Sequence, residues 1–101
     1  MRIMMHVSFP VDVFNQAVRD GSIGAKMQRI LAEQKPEAAY FADRGGMRTG
    51  VLIVTVTDAS QIPGFAEPWF LTFNAGIEMH PVMTAEDLGK SGLDTMGKTW
   101  A

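Results

Sequence analysis

The chain has 101 residues, of which 47% are hydrophobic and 20% are charged, a balance typical of one globular domain. It contains no cysteine, which excludes disulfide bonds, thiolate metal sites and cysteine nucleophiles. The net charge of −2 and the lack of a basic stripe argue against a nucleic-acid partner. No apolar run reaches the ~20 residues of a membrane span, and the first residues are a poor signal peptide. We therefore expect a cytoplasmic protein with no membrane partner.

The first predicted element is a strand over residues 2–9, because apolar side chains alternate there with more polar ones. Residues 11–34 carry two apolar stripes at helical spacing, which predict a helix with an interruption. The interruption falls at residues 20–22, where Gly21 ends the first segment and Ser22 is expected to cap the second.

A glycine-rich hairpin and the strongest strand follow. Residues 37–43 predict a short edge strand, and residues 44–50 predict a turn that uses its glycines for positive φ angles. The run VLIVTVT at residues 51–57 is rich in β-branched residues and apolar on both faces. It therefore predicts a central strand that is covered on both sides.

The second half of the chain predicts one more helix and one more strand. Residues 58–60 are expected to cap a helix that ends near Asn74, with a kink or restart at Pro68, because proline has no backbone N–H to donate. Residues 77–83 predict a fourth strand. A capping-box-like run at residues 84–87 predicts a helical tail, which the glycines after it should weaken.

The element order β-α-β-β-α-β predicts an α+β, ferredoxin-like domain over residues 1–88. Residues 89–101 are a C-terminal tail that either contacts a partner or is disordered. The sheet is expected to have four antiparallel strands in the order 4-1-3-2, with both helices on one face. The other face would then expose Leu52, Val54 and Val56 as one apolar patch, which a homodimer would cover.

Four stretches of sequence carry a family resemblance over residues 2–88. They are the opening RIMMHVSFP, the glycine hairpin before VLIVTVTD, the aromatic second helix and the closing IEMHPVMTAEDL. In this combination the chain resembles the dimeric α/β-barrel superfamily, and within it a family of small, uncharacterised bacterial domains. The chain departs from that family at Pro63 and Pro68 and in its interrupted first helix. The resemblance implies a homodimeric, barrel-like assembly.

The function that we expect is binding of a small apolar or aromatic molecule between the helices and the sheet. The superfamily that the chain resembles includes antibiotic-biosynthesis-type monooxygenases, muconolactone isomerases and haem-binding proteins, so the resemblance implies no single activity or cofactor. One alternative is a monooxygenase- or isomerase-like enzyme acting on a small organic substrate. The other is a non-catalytic dimer with a regulatory or structural role.

An aromatic cluster in the second helix is the first candidate site. Phe65, Trp69 and Phe73 are spaced at i, i+4 and i+8, so they share one helix face, which most often packs on the sheet. The alternative is that these side chains line an apolar ligand pocket. Phe70 lies about 100° from this face on an ideal helix and is a candidate for the pocket mouth or for a dimer contact.

The two histidines and one carboxylate form the second candidate. If the first and fourth strands are antiparallel neighbours, His6, Glu78 and His80 approach one another on one face of the sheet. They could form an acid–base group or a metal site. The alternative is that each histidine is a half-buried strand residue with a backbone or water partner. No single element carries metal-ligand spacing, which favours the alternative.

The residues around the hairpin are the third candidate. Arg44 and Arg48 flank its first two glycines, and they belong either to a solvated tip or to an anion clamp at a pocket mouth. Tyr40 is the only tyrosine, and its predicted role is packing on the edge strand. If its phenol lies near Arg48, the two could orient a substrate oxygen.

Overall fold

The computed structural model describes residues 1–101 and contains a four-stranded sheet and five α-helices. The strands are β1 (Arg2–Ser8), β2 (Ala38–Arg44), β3 (Met47–Thr55) and β4 (Gly76–Pro81). The helices are α1 (Val11–Arg19), α2 (Ile23–Gln34), α3 (Ile62–Phe73), α4 (Ala85–Lys90) and α5 (Leu93–Thr99). A 3-10 turn at Ala59–Gln61 precedes α3. This order confirms the predicted α+β class.

The sheet is antiparallel throughout and has the order β2-β3-β1-β4. This order is the predicted one, and it leaves β2 and β4 at the edges. Met5 of β1 lies opposite Leu52 of β3 and Met79 of β4, so these three side chains share the face that packs on the helices. The arrangement is consistent with a ferredoxin-like fold.

The hydrophobic core lies between this face and helices α1 to α3. Its largest fully buried side chains are Trp69, Phe9, Phe73, Met5, Leu52, Val7 and Val54. The prediction that Leu52, Val54 and Val56 line the uncovered face is therefore wrong, because all three are buried. Alternation along a strand that is apolar on both faces does not show which set of side chains meets the helices. The pairing with β1 decides it.

The uncovered face of the sheet carries the other set of side chains. Val51 and Ile53 of β3 and Met4 of β1 lie there, and each is half-buried. Tyr40 of β2 lies opposite Val51 and is 69% exposed. We call this surface, formed by Met4, Tyr40, Val51 and Ile53, the apolar sheet face.

The predicted break between the first two helices is confirmed, but its cap is different. Gly21 has a φ of 80°, which ends α1. The backbone N–H of Ser22 donates to Oδ1 of Asp20 at 2.8 Å, whereas the Ser22 side chain makes no capping bond. Ser22 is at the predicted N-cap position of α2, but it has the φ and ψ of a helical residue instead of the extended backbone of a typical N-cap, and its hydroxyl does not cap the helix.

The β2–β3 hairpin turns on Gly45 and Gly46 alone, with φ angles of 60° and 77°. Two consecutive positive φ angles are the requirement of a type I′ turn, whose twist matches the strands that it joins. The turn is shorter than the predicted span of residues 44–50, because β2 continues to Arg44 and β3 begins at Met47.

Helix α3 runs through Pro68 without the predicted restart. Pro68 has no N–H, so the carbonyl of Gly64, four residues earlier, lacks its helical donor. The side chain of Gln34 in α2 donates to that carbonyl at 3.4 Å and to the carbonyl of Phe65 at 2.9 Å. Its Oε1 accepts from Nε1 of Trp69 at 3.1 Å. Gln34 thus ties α2 to α3 at the proline.

The C-terminal arm, residues 84–101, begins with the predicted capping box between Thr84 and Asp87. Two helices follow and are separated at Gly92. Gly89 and Gly97 lie within the helices, so only one of the three glycines interrupts the helical tail. No residue of α4 or α5 is buried. The radius of gyration is 17.0 Å, against about 13 Å for a compact chain of this length.

The helices are too short or too polar for a bilayer span; none meets the criteria for crossing a membrane.

Candidate functional site

An apolar cavity lies where the start of α1, the middle of α2 and the hairpin end of β2 and β3 meet. Its volume is about 450 Å³. We call it the helix–sheet pocket, and its lining residues are Phe9, Phe14, Met27, Phe41, Ala42, Arg48 and Thr49. Five of these seven residues are hydrophobic, as is usual for a small-molecule site.

Aromatic contacts hold one wall of the helix–sheet pocket in place. The rings of Phe9 and Phe14 meet edge to face, with centroids 5.1 Å apart. Phe9 is buried and also contacts Trp69 and Phe73 edge to face. The pocket wall is therefore continuous with the core, while Phe41, on the edge strand, is 51% exposed at the open side.

Arg48 supplies the charge at this pocket. Its guanidinium carbon lies 4.5 Å from the centroid of the Phe14 ring, and Nη1 donates to Oδ1 of Asn15 at 2.8 Å. The chain forms four ion pairs, and Arg48 takes part in none of them. Asp43 lies opposite Arg48 in the β2–β3 ladder, but the two side chains do not pair.

The other residues predicted for ligand binding lie outside the helix–sheet pocket. Trp69 and Phe73 are fully buried, and Phe65 packs against the core, which confirms the predicted packing face of α3. Phe70 is 39% exposed on the outer part of the helix. Tyr40 lies on the apolar sheet face. The aromatic cluster is thus core, and it does not line this cavity.

The two hairpin arginines do not form the predicted joint anion clamp, because they lie on opposite faces of the sheet. Arg44 pairs with Met47 in the ladder and contacts His6 and Glu78 on the uncovered face. Arg48 contacts Phe14 and Asn15 on the helix side. Tyr40 is also on the face away from Arg48, so the condition under which the two could orient a substrate oxygen is not met.

A polar cluster of His6, Arg44, Glu78 and His80 lies on the uncovered face, beside the apolar sheet face. Glu78 is directly opposite His6 in the β1–β4 ladder, and the two histidine rings are 6.1 Å apart. Nη1 of Arg44 contacts Nδ1 of His6 and lies 3.3 Å from Oε2 of Glu78. Nε2 of His80 is 3.7 Å from the same oxygen. The structure thus brings the predicted trio together and adds Arg44.

The chemistry open to this polar cluster is limited. Arginine can only donate, so Nδ1 of His6 can take part in a hydrogen bond with Arg44 only as the acceptor. His6, Glu78 and His80 are close to one another, but no group of three His, Asp or Glu side chains is arranged to hold a metal ion. The side chains of Arg44, Glu78 and His80 are each more than half exposed, where ion pairs are weak.

A larger groove between α2 and α3, about 680 Å³, is a weaker candidate site. Only two of its ten lining residues are hydrophobic, and its charged side chains carry both signs. Those charged residues are Lys26, Arg29, Glu33 and Glu67. This lining gives neither an apolar surface for an apolar ligand nor a uniform charge for an ionic one.

The shifted titratable groups belong to helix caps and a surface ion pair, not to the pocket. Hydrogen bonds from the Ser60 hydroxyl and N–H lower the pKa of Asp58. The backbone N–H of Thr84, which donates to the Asp87 carboxylate, and the Thr84 hydroxyl lower the pKa of Asp87. The hydrogen bond with Glu37 raises the pKa of Arg2. None of these residues lines the helix–sheet pocket.

Sequence reasoning predicted Arg48 as a ligand residue but missed the aromatic lining of the pocket. Phe9 directly follows β1 and Phe41 is in the middle of β2, both on the core-facing side of the sheet. The alternation pattern shows this side, but it does not show that the helices leave a cavity there. Phe14 belongs to the first of the two apolar stripes over residues 11–34, a pattern that predicts a helix face and not a ligand contact. The feature that could have indicated the pocket is the grouping of these three phenylalanines near the hairpin, on the helix side of the sheet.

No family model and no curated protein matches this chain. The resemblance to the dimeric α/β-barrel superfamily therefore stays a prediction, and the case for a function comes from the geometry of the pocket.

Proposed function

We propose that this protein binds a small apolar or aromatic molecule in the helix–sheet pocket. The observation that carries the proposal is the cavity of about 450 Å³ with its three phenylalanines and one methionine. This volume is within the ~300–1,000 Å³ typical of small-molecule pockets. Transfer of an apolar ligand from water to such a lining is favourable in proportion to the area removed from water.

The proposal includes a homodimer formed through the apolar sheet face, in the cytoplasm. Helices cover one side of the sheet, while Met4, Val51 and Ile53 are only half-buried on the other. A second copy would remove this surface from water. The helix–sheet pocket opens on the opposite side of the sheet, so such a dimer leaves it accessible.

Catalysis by the polar cluster is the second candidate function. It is favoured by the convergence of His6, Glu78 and His80, the residue types of general acid–base chemistry. The cluster and the pocket lie on opposite faces, however, so a molecule in the pocket does not reach the histidines. A monooxygenase- or isomerase-like reaction would need a separate substrate site, made between the two sheets of a dimer. A dimer with no ligand is the remaining alternative.

A matched pair of phenylalanine variants tests ligand binding. The neutral dye N-phenyl-1-naphthylamine, which fluoresces in apolar sites, is titrated against the wild type, Phe41→Ala and Phe70→Ala. Phe41 lines the pocket and Phe70 does not, although both are partly exposed. We expect about fivefold weaker binding for Phe41→Ala, the value of one aromatic contact, and no change for Phe70→Ala.

Equal affinities of the two variants would place the dye elsewhere, and no binding to the wild type would contradict the proposal.

To test the alternative activities, native mass spectrometry of the purified protein under gentle conditions detects any retained ligand. An adduct that is lost on denaturation has a mass that identifies the ligand.

A further inference from the structure

We infer that the ligand of the helix–sheet pocket is an apolar or aromatic carboxylic acid, with its carboxylate bound by Arg48. The inference rests on the proposed function, because it names the chemical class of ligand for that same pocket. It is carried by the state of the Arg48 side chain and by the lack of any other charge among the lining residues.

Arg48 is held in position by neutral groups. The Phe14 ring supports the guanidinium at 4.5 Å, and the amide oxygen of Asn15 takes one donor at 2.8 Å. The backbone carbonyl of Arg48 accepts from the N–H of Phe9 at 3.0 Å, which fixes the base of the side chain beside the pocket. An arginine with these contacts is oriented, yet its charge is not neutralised.

The guanidinium keeps donors for a further partner. It has five N–H groups, and Asn15 occupies one of them. Two other arginines, Arg2 and Arg44, each form an ion pair with a glutamate of this chain. Arg48 forms none, although Asp43 is its neighbour across the ladder. A planar carboxylate can accept two parallel hydrogen bonds from a guanidinium, which suits these remaining donors.

The rest of the pocket fits the apolar part of such a molecule. The hydroxyl of Thr49, the one polar side chain besides Arg48, donates to the carbonyl of Met47. The remaining lining is phenylalanine, methionine and alanine. One cation at the rim of an apolar cavity matches a ligand with an apolar body and a single anionic group.

The test compares 2-naphthoate with 2-naphthamide, which has the same ring system and no charge. Isothermal titration calorimetry gives Kd for both compounds with the wild type, Arg48→Gln and the control Arg19→Gln. Arg19→Gln makes the same change in net charge as Arg48→Gln. Arg19 is exposed at the end of α1 and does not line the pocket, so its replacement leaves the pocket unchanged. The wild type should bind the acid at least about tenfold more tightly than the amide.

We expect Arg48→Gln to lose this preference while it keeps its affinity for the amide, and Arg19→Gln to keep the preference. Equal binding of acid and amide to the wild type would overturn the inference without any variant. A preference that persists in Arg48→Gln would also overturn it. Both of these results leave the proposed function standing, provided that Phe41→Ala weakens binding. If neither compound nor the neutral dye binds, the proposed function itself fails.

Discussion

Trp69 shows at the level of one residue how aromatic side chains divide between the core and the ligand site. Its indole is fully buried, its ring stacks with Phe73 at 6.1 Å, and its N–H donates to Gln34. Phe41 carries a similar apolar ring but stays half-exposed beside the pocket. Burial and hydrogen-bond partners, more than residue type, therefore decide which aromatic residue can meet a ligand.

Replacement of Trp69 by alanine should lower the free energy of unfolding by about 3–5 kcal/mol, since it leaves a large cavity in the core. Urea denaturation followed by circular dichroism measures the change. Leu71→Ala is the matched control in the same helix, because its side chain is 80% exposed, and it should change stability by less than ~0.5 kcal/mol. A small effect of Trp69→Ala would show that the indole is not part of the core.

The link between α2 and α3 belongs to the scale of whole elements. Pro68 removes one helical hydrogen bond inside α3, and Gln34 supplies a donor to the carbonyl that is left without a partner. This compensation explains how the helix continues to Phe73 with a proline in its interior.

Gln34→Leu should destabilise the protein by ~1–3 kcal/mol, because it leaves the indole N–H of the buried Trp69 and the partly buried carbonyl of Phe65 without these partners. The cost should be smaller by ~0.5–1.5 kcal/mol in a Pro68→Ala background, where the new N–H of residue 68 bonds the Gly64 carbonyl. A double-mutant cycle from urea denaturation measures this coupling. Additive effects would mean that the Gln34 contact with Gly64 does not replace the missing helical bond.

Sequence reasoning predicts the order of the elements but not every contact between them. The break after α1 and the packing face of α3 follow from glycine chemistry and from local periodicity, whereas the strand order follows from the ferredoxin-like pattern that the element order predicts. The role of Gln34 does not, because its partners lie 30 to 35 residues away in the chain. The buried face of β3 depends on its register with β1, and the pocket depends on where the helices end. Both features depend on tertiary structure, which local sequence patterns do not determine.

At the scale of the whole molecule, the uncovered apolar sheet face underlies the proposed dimer. Ile53→Lys places a charge at its centre, where burial in an interface would be costly. We expect this variant to be monomeric in sedimentation velocity runs in which the wild type is dimeric. Leu71→Lys, on the helix side of the domain, should stay dimeric. A wild type that is monomeric at high concentration, or an Ile53→Lys variant that stays dimeric, would contradict assembly through this face.

The C-terminal arm has too little contact with the domain to contribute to its stability. Helices α4 and α5 have six and seven residues, lengths that are marginal in isolation, and no side chain in either is buried. Its larger apolar residues, Leu88, Leu93, Met96 and Trp100, are 46–85% exposed. Deletion of residues 84–101 should therefore change the Tm of the monomeric Ile53→Lys variant by only a few degrees, as measured by thermal circular dichroism. A Tm lower by ten degrees or more would show that the arm packs on its own domain. If the deletion instead lowers the Tm only of the dimeric protein, the contacts that stabilise the arm are made with the second copy.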